Sequence, residues 1–292
     1  MQKQYQALYP GHTACAGCGE LLAMRHALQA AGPDVIVVGA TGCSEVTTSG
    51  YPESAFGMPW LHSLFENASS VASGIAAALK YQKKNDKIKV IATGGDGATF
   101  DIGFGALSAM WSRGEDILYL CYDNEAYMNT GVQASGATLP GTSTTTSPSG
   151  AVEQGNMMPK KDMPAIAMAH GCVYVATASP GYPIDIQNKV KKALTMKGPK
   201  YIQLLSPCVP GWGFSTDQAV KLGKLAQQTG LYPIFEAING KVTGVMKVPT
   251  ATPPVSAYLE LQKRFKHILK DEKMMAYLQS IADANIVKYG LR

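Results

Sequence analysis

Cys15-Ala16-Gly17-Cys18 sets two thiols on one tight turn, a spacing that lets both reach a single metal centre. Two further cysteines stand singly, Cys43 in Thr41-Gly42-Cys43 and Cys208 in Ser206-Pro207-Cys208. Gly17 and Gly19 leave room for backbone N–H groups beside the sulfurs, which would stabilise their negative charge. The pattern admits three readings: a redox dithiol, a structural zinc site or an iron–sulfur cluster. Zinc more usually takes two C-x-x-C pairs, or a pair plus His. Single third and fourth cysteines suit a cubane cluster at least as well. Cys121 and Cys172 lie inside apolar runs and read as core residues.

A second motif is Thr93-Gly94-Gly95-Asp96-Gly97-Ala98, which closes an apolar run and opens a helical one. Glycines there let the backbone approach a diphosphate, and free N–H groups at a helix start favour an anion. No Gly-Lys-Ser/Thr follows, so this is not a P-loop, and the glycine spacing is wrong for a dinucleotide fingerprint. Asp96 is placed to hold a hard cation such as Mg²⁺, which binds through few carboxylates plus phosphate oxygens. Twenty-eight residues on, Asn124 also follows an apolar run, so the two side chains could share one ion. A lone Gly-Asp-Gly is a common turn. Paired with Asn at this spacing, it is the pattern of a thiamine diphosphate site.

The elements that must position these groups read as alternating strands and helices. Short apolar runs at 34–40, 88–93, 116–122, 172–178 and 201–205 suit strands covered on both faces. Helical patterns fall at 20–31, 66–82, 100–111 and 184–196. The expected fold is α/β, a mostly parallel sheet with helices on both faces and a C-terminal helical tail. Ligands in such sheets bind at strand carboxyl ends. Cys43, Asp96, Asn124 and Cys208 would then share one rim. Residues 41–65 form a Gly/Pro-rich loop with Tyr51, Phe56 and Trp60, and 129–164 form a long loop, either functional or a flexible surface segment. Residues 1–229 are expected to form the cofactor-binding domain, and 230–292 a tail that packs on it or on a neighbouring subunit. The small residues around 68–78 suit tight packing on the sheet or a subunit interface, with Glu66 or Asn67 capping that helix. His26, His170 and His267 read as structural, whereas His12 and His62 stand in motif loops that could line a site.

The chain has 292 residues, 46% hydrophobic and 16% charged, with a net charge of +5. The charged share is below the usual ~25%, which suggests surface buried against other chains. No segment is dense in Lys and Arg, so nucleic acid is not expected as a partner. The first ten residues are polar, and no apolar run approaches the ~20 residues of a membrane helix. A cytoplasmic location is expected, where six cysteines would not form a disulfide frame.

Gly11–Gly19, Pro59-Trp60-Leu61-His62-Ser63-Leu64-Phe65-Glu66-Asn67-Ala68, Gly95-Asp96-Gly97 and Asn124-Glu125-Ala126-Tyr127-Met128-Asn129-Thr130-Gly131 together resemble the β subunit of pyruvate:ferredoxin oxidoreductase. That places the resemblance in the 2-oxoacid:ferredoxin oxidoreductase family, over residues 8–215. It implies that Cys15, Cys18, Cys43 and Cys208 ligate a [4Fe–4S] cluster. It implies Mg²⁺ ligands in Asp96, Asn124 and the carbonyl of Ala126, and cofactor-binding turns at Gly95, Asp96, Gly97 and Ala98 and at 124–129. Glu20 and Cys43 match positions that touch thiamine diphosphate, and Asn129 one that contacts the substrate. The implied reaction is decarboxylation of pyruvate, transfer of the acyl group to coenzyme A and delivery of electrons singly to ferredoxin, or the reverse. Implied partners are the other subunits of a hetero-oligomer, including a ferredoxin-like iron–sulfur subunit, without which the chain would be inactive. Oxalate, branched-chain 2-oxoacids and 2-oxoglutarate are alternative substrates. A non-oxidative thiamine enzyme would fit the Gly-Asp-Gly motif but leave four cysteines without a purpose, and an interaction subunit with zinc or a cluster would lack thiamine altogether.

Overall fold

Apolar side chains alternate along the central strands, so each strand feeds two cores at once. The computed structural model describes residues 5–50 and 52–292; Tyr51, which the aromatic-loop reading included, lies outside the described residues. The strands are β1 (Val35–Gly39), β2 (Trp60–His62), β3 (Lys89–Gly95), β4 (Ile117–Asp123), β5 (Tyr174–Ala178), β6 (Lys200–Leu205), β7 (Phe235–Ile238) and β8 (Lys241–Val245). They form one sheet in the order β2-β1-β3-β4-β6-β5-β7-β8. The first six run parallel, while β7 and β8 are antiparallel additions. This is the expected α/β architecture.

The helices are α1 (Gly19–Ala31), α2 (Cys43–Val46), α3 (Ala68–Tyr81), α4 (Phe104–Ser112), α5 (Met163–Ala169), α6 (Pro183–Thr195), α7 (Val209–Trp212), α8 (Ala219–Gln228), α9 (Ser256–Leu259) and α10 (Glu272–Tyr289). Val90, Ala92, Ile117, Tyr119 and Cys121 face α3, α4 and α5 on one side of the sheet. Ile91, Leu118, Leu120 and Tyr122 face α1 and α6 on the other. A third core joins Trp212 and Phe214 to α8, α9 and α10. Cys121 and Cys172 are buried core residues, as expected.

The structure departs from the sequence reading in several places. Residues 235–245 are not part of a purely helical tail, because they extend the sheet as a hairpin. The turn is Asn239-Gly240, with φ of 48° and 76°, the left-handed pair that a two-residue hairpin demands. The reading also lacked the three-residue β2. The helix expected at 100–111 is split: a π-turn at Gly97–Ile102 precedes α4, and the Gly103 N–H bonds five residues back to Ala98. Asn67 stands at the N-cap of α3 but makes no capping bond, and its side-chain oxygen is buried without a partner. Ala68, Ser69 and Ala72 of α3 are buried, while Ser70, Gly74, Ala77 and Ala78 are exposed. The segment 129–164 is irregular yet packed. Thr138, Leu139, Thr142 and Asn156 are buried, and the Asn156 amide donates to the Thr138 carbonyl at 2.9 Å.

Candidate functional site

Four neighbouring parallel strands deliver the site. The carboxyl ends of β1, β3, β4 and β6 lead into Cys43, Asp96, Asn124 and Cys208 respectively. The Cys15–Cys18 turn reaches the same rim because the Gly19 N–H donates to the Pro207 carbonyl at 3.0 Å. Cys18 caps α1, its sulfur accepting from the Leu21 N–H at 3.4 Å. Gly17 has φ +75°, and a Cβ there would lie 2.1 Å from the Thr216 carbonyl oxygen, so only glycine fits.

Two cavities of about 200 Å³ each meet at this rim. The first is lined by Cys15, Cys18, Cys43 and Cys208, with Leu21, Met24 and Val209 among the apolar groups around them. Burial, followed by the charge of Glu20, pushes the Cys18 thiol up to about 11. Burial likewise pushes Cys208 up to about 12 and raises Cys43. The second cavity is lined by Gly95, Asp96, Gly97, Ala126 and Phe65. Glu20, Cys43, Val46, Asn124, Met128 and Asn129 line both, so they form the wall between them. Ala98 lines neither; it is buried behind the turn, under Gly94.

Asp96 is 1% exposed and forms no ion pair among the described residues. Its carboxylate accepts from the Asn124 N–H at 3.2 Å and from the Ser135 hydroxyl. Burial and then the neighbouring Asp123 charge hold its pKa well above the usual carboxylate range. The Asn124 side-chain nitrogen donates to Glu20 Oε2 at 3.0 Å, leaving Asn124 Oδ1 buried without a partner. Glu20 is itself buried and pushed up to about 7 by that burial, against donation from Asn124 and the Ser44 N–H. The Ala126 carbonyl accepts from the Met128 N–H at 2.9 Å.

A buried carboxylate without a cation and a buried amide oxygen without a donor are each costly alone. Both open on one cavity beside a Gly-rich turn, which fits Mg²⁺ held with a diphosphate. Four thiols in a cavity with apolar neighbours fit a soft-ligand centre such as an iron–sulfur cluster. Among the described residues, no three His, Cys, Asp or Glu side chains are drawn together as a closed metal-binding group.

Of the histidines, His170 bonds to Ser108 and the Ile166 carbonyl, His26 to Gln187 and His267 to the Gln154 carbonyl, all structural contacts. His12 and His62 line neither cavity: His12 flanks the outer side of the Cys15–Cys18 turn, and His62 bonds to Thr41 at 2.8 Å. Ser135, the half-buried Lys160 and the buried Arg264 behind Asn124 were not foreseen from the sequence. Met128 lies within the 124–129 turn expected at the cofactor, and no local pattern marks the other three.

The family model described as "Thiamine pyrophosphate enzyme, C-terminal TPP binding domain" matches residues 40–204. Pyruvate synthase subunit PorB of Methanosarcina barkeri is 51% identical over 285 residues, covering 97% of this chain and 96% of that protein. Ketoisovalerate oxidoreductase subunit VorB of Pyrococcus furiosus is 44% identical, covering 90% of this chain and 86% of that protein. Among solved structures, a 2-oxoglutarate:ferredoxin oxidoreductase from Magnetococcus marinus shares the fold with a TM-score of 0.60 at 22% identity, over 89% of this chain and 91% of that one.

Proposed function

The chain belongs to the pyruvate synthase PorB family of thiamine-dependent 2-oxoacid oxidoreductase subunits, and from that premise we propose that it holds thiamine diphosphate, Mg²⁺ and one [4Fe–4S] cluster. The observation that carries this reading is the shared wall, with the diphosphate turn on one side, Cys15, Cys18 and Cys208 on the other and Cys43 in the wall itself. Asp96 and Asn124 supply side-chain oxygens to Mg²⁺, with a free lone pair on the Ala126 carbonyl. Gly95 and Gly97 admit the diphosphate, and Cys15, Cys18, Cys43 and Cys208 hold the cluster. When bound, the thiamine supplies the carbon nucleophile and electron sink for decarboxylation, and the cluster accepts electrons singly. Glu20 fixes the Asn124 amide so that Oδ1 is left for the cation. Val46 and Met128 give the shared wall an apolar surface, and Asn129 contacts the substrate.

The substrate proposed is pyruvate, converted with coenzyme A to acetyl-CoA and CO₂ while ferredoxin takes two electrons, or the reverse. The likeness to VorB favours a second reading, the same chemistry on a branched 2-oxoacid. Other subunits, including one that carries ferredoxin-like clusters, complete the enzyme. Six free cysteines suit a reducing cytoplasm.

The test uses the complex purified without oxygen from cells that co-express the neighbouring subunits. Replacing Cys43 and Cys208 by Ser together should remove about four irons and four sulfides per copy of this chain. Unchanged iron, or zinc released in its place, would refute the cluster assignment.

A further inference from the structure

Residue 125 sits between two of the groups assigned to the cation, and its backbone is strained. Glu125 has φ +67°, one of four non-glycine residues with positive φ among those described. A side chain that bulky disfavours the left-handed region, so the surroundings must hold it there. Its carboxylate is buried and clamped from two distant segments, by Arg264 at 2.6 Å and Lys160 at 2.9 Å. Lys160 bridges on to Asp123 at 2.6 Å, and Asp123 also accepts from the Gln203 amide at 2.7 Å.

The Arg264 guanidinium stacks 3.9 Å from the centre of the Trp212 ring, and that indole N–H donates to the Asn124 carbonyl at 2.8 Å. The Thr138 hydroxyl donates to the Glu125 carbonyl at 2.8 Å. Each backbone oxygen from Asp123 to Ala126 is thus fixed, the first by the Ser206 N–H and the last by the Met128 N–H. Of the side-chain oxygens in this segment, Asn124 Oδ1 and Asp123 Oδ1 are left without a partner, and Asn124 lines the cavity.

We propose that Glu125 and Arg264 are positioning residues: their buried pair holds residue 125 left-handed, which turns Asn124 and Ala126 onto one cavity and makes a C-terminal arginine a determinant of divalent-cation affinity. The inference rests on the cation site proposed above. A buried pair that merely braced the fold would give stability without setting cation affinity. Here the clamp reaches the site through the residue between its two ligands and through the Trp212 bond.

The experiment titrates the oxidised, intact complex with Mn²⁺, with thiamine diphosphate in excess, and reads free Mn²⁺ by EPR. Glu125→Gln combined with Arg264→Met removes one charge of each sign and leaves Lys160 paired with Asp123. It should weaken Mn²⁺ binding about 10- to 100-fold, the range for groups that orient metal ligands, with iron content unchanged. Trp212→Phe keeps a ring under Arg264 and removes only the N–H; it should weaken binding about 5-fold, one hydrogen bond's worth. A folded double variant that binds Mn²⁺ within about 2-fold of wild type overturns the proposal. If the double variant does not assemble, unchanged affinity in Trp212→Phe overturns it instead. A wild-type complex that binds no Mn²⁺ with thiamine diphosphate would instead remove the cation site, and the proposal with it.

Discussion

Asp96 carries the sharpest electrostatic problem among the site residues. Its carboxylate is buried with hydrogen bonds from Ser135 and the Asn124 N–H but with no ion-pair partner among the described residues. Such a group destabilises the metal-free fold unless a cation arrives. Asp96→Asn is therefore expected to leave the unfolding temperature of the metal-free complex unchanged or raised. The same variant should abolish the stabilisation that Mg²⁺ and thiamine diphosphate confer, about 2.7 kcal/mol at 100-fold excess over Kd. Thermal unfolding with and without the two ligands checks this. A variant that keeps the ligand-induced rise would show that Asp96 does not hold the cation.

The turn between β3 and α4 owes its shape to contacts on both sides. A Cβ on Gly97 would lie 2.4 Å from the Tyr127 ring, whose hydroxyl donates to Asp101 at 2.9 Å. Asp101 also pairs with Lys161 and accepts from the Gly136 N–H. The π-turn is thereby tied to the long 129–164 segment, which explains why that segment is packed although it lacks regular structure. Gly97→Ala should push Tyr127 aside and cost about 1–3 kcal/mol by overpacking. It should also weaken thiamine diphosphate binding, because Tyr127 and Gly97 line the same cavity. Denaturant unfolding and a binding titration on one preparation would separate the two effects. Wild-type affinity in the Gly97→Ala variant would mean that the turn tolerates a side chain where the diphosphate is placed.

At the scale of the molecule, the mouth of the site is apolar and open. Val46, which lines both cavities, is 50% exposed; Leu61 and Leu64, leading to Phe65, are 43% and 63% exposed. Large apolar groups left open beside a site mark a surface that another chain covers. With the low charged fraction of 16%, they argue that the site is completed in an assembly. The chain purified by itself should show no 2-oxoacid-dependent reduction of a redox dye, whereas the co-purified complex should. Turnover by the isolated chain would contradict this.

The sequence by itself determined the fold class, because β1, β3, β4, β5 and β6 are short runs buried on both sides and the longer helices are local patterns. It also determined that Cys43, Asp96, Asn124 and Cys208 follow strands, since a strand's end is written in the residues that flank it. The β7–β8 hairpin was not expected within the tail from 230, although Asn239-Gly240 is a local two-residue signal for it. Tertiary structure alone decided that β1, β3, β4 and β6 are neighbours, and so that their four ends converge. It alone joined the Cys15–Cys18 turn to Pro207, left Asn124 Oδ1 without a donor and set Lys160 and Arg264 on Glu125. The physical reason is range. Periodicity and turn chemistry act between residues close in the chain, whereas a buried charge is compensated by whichever distant segment the packing brings beside it.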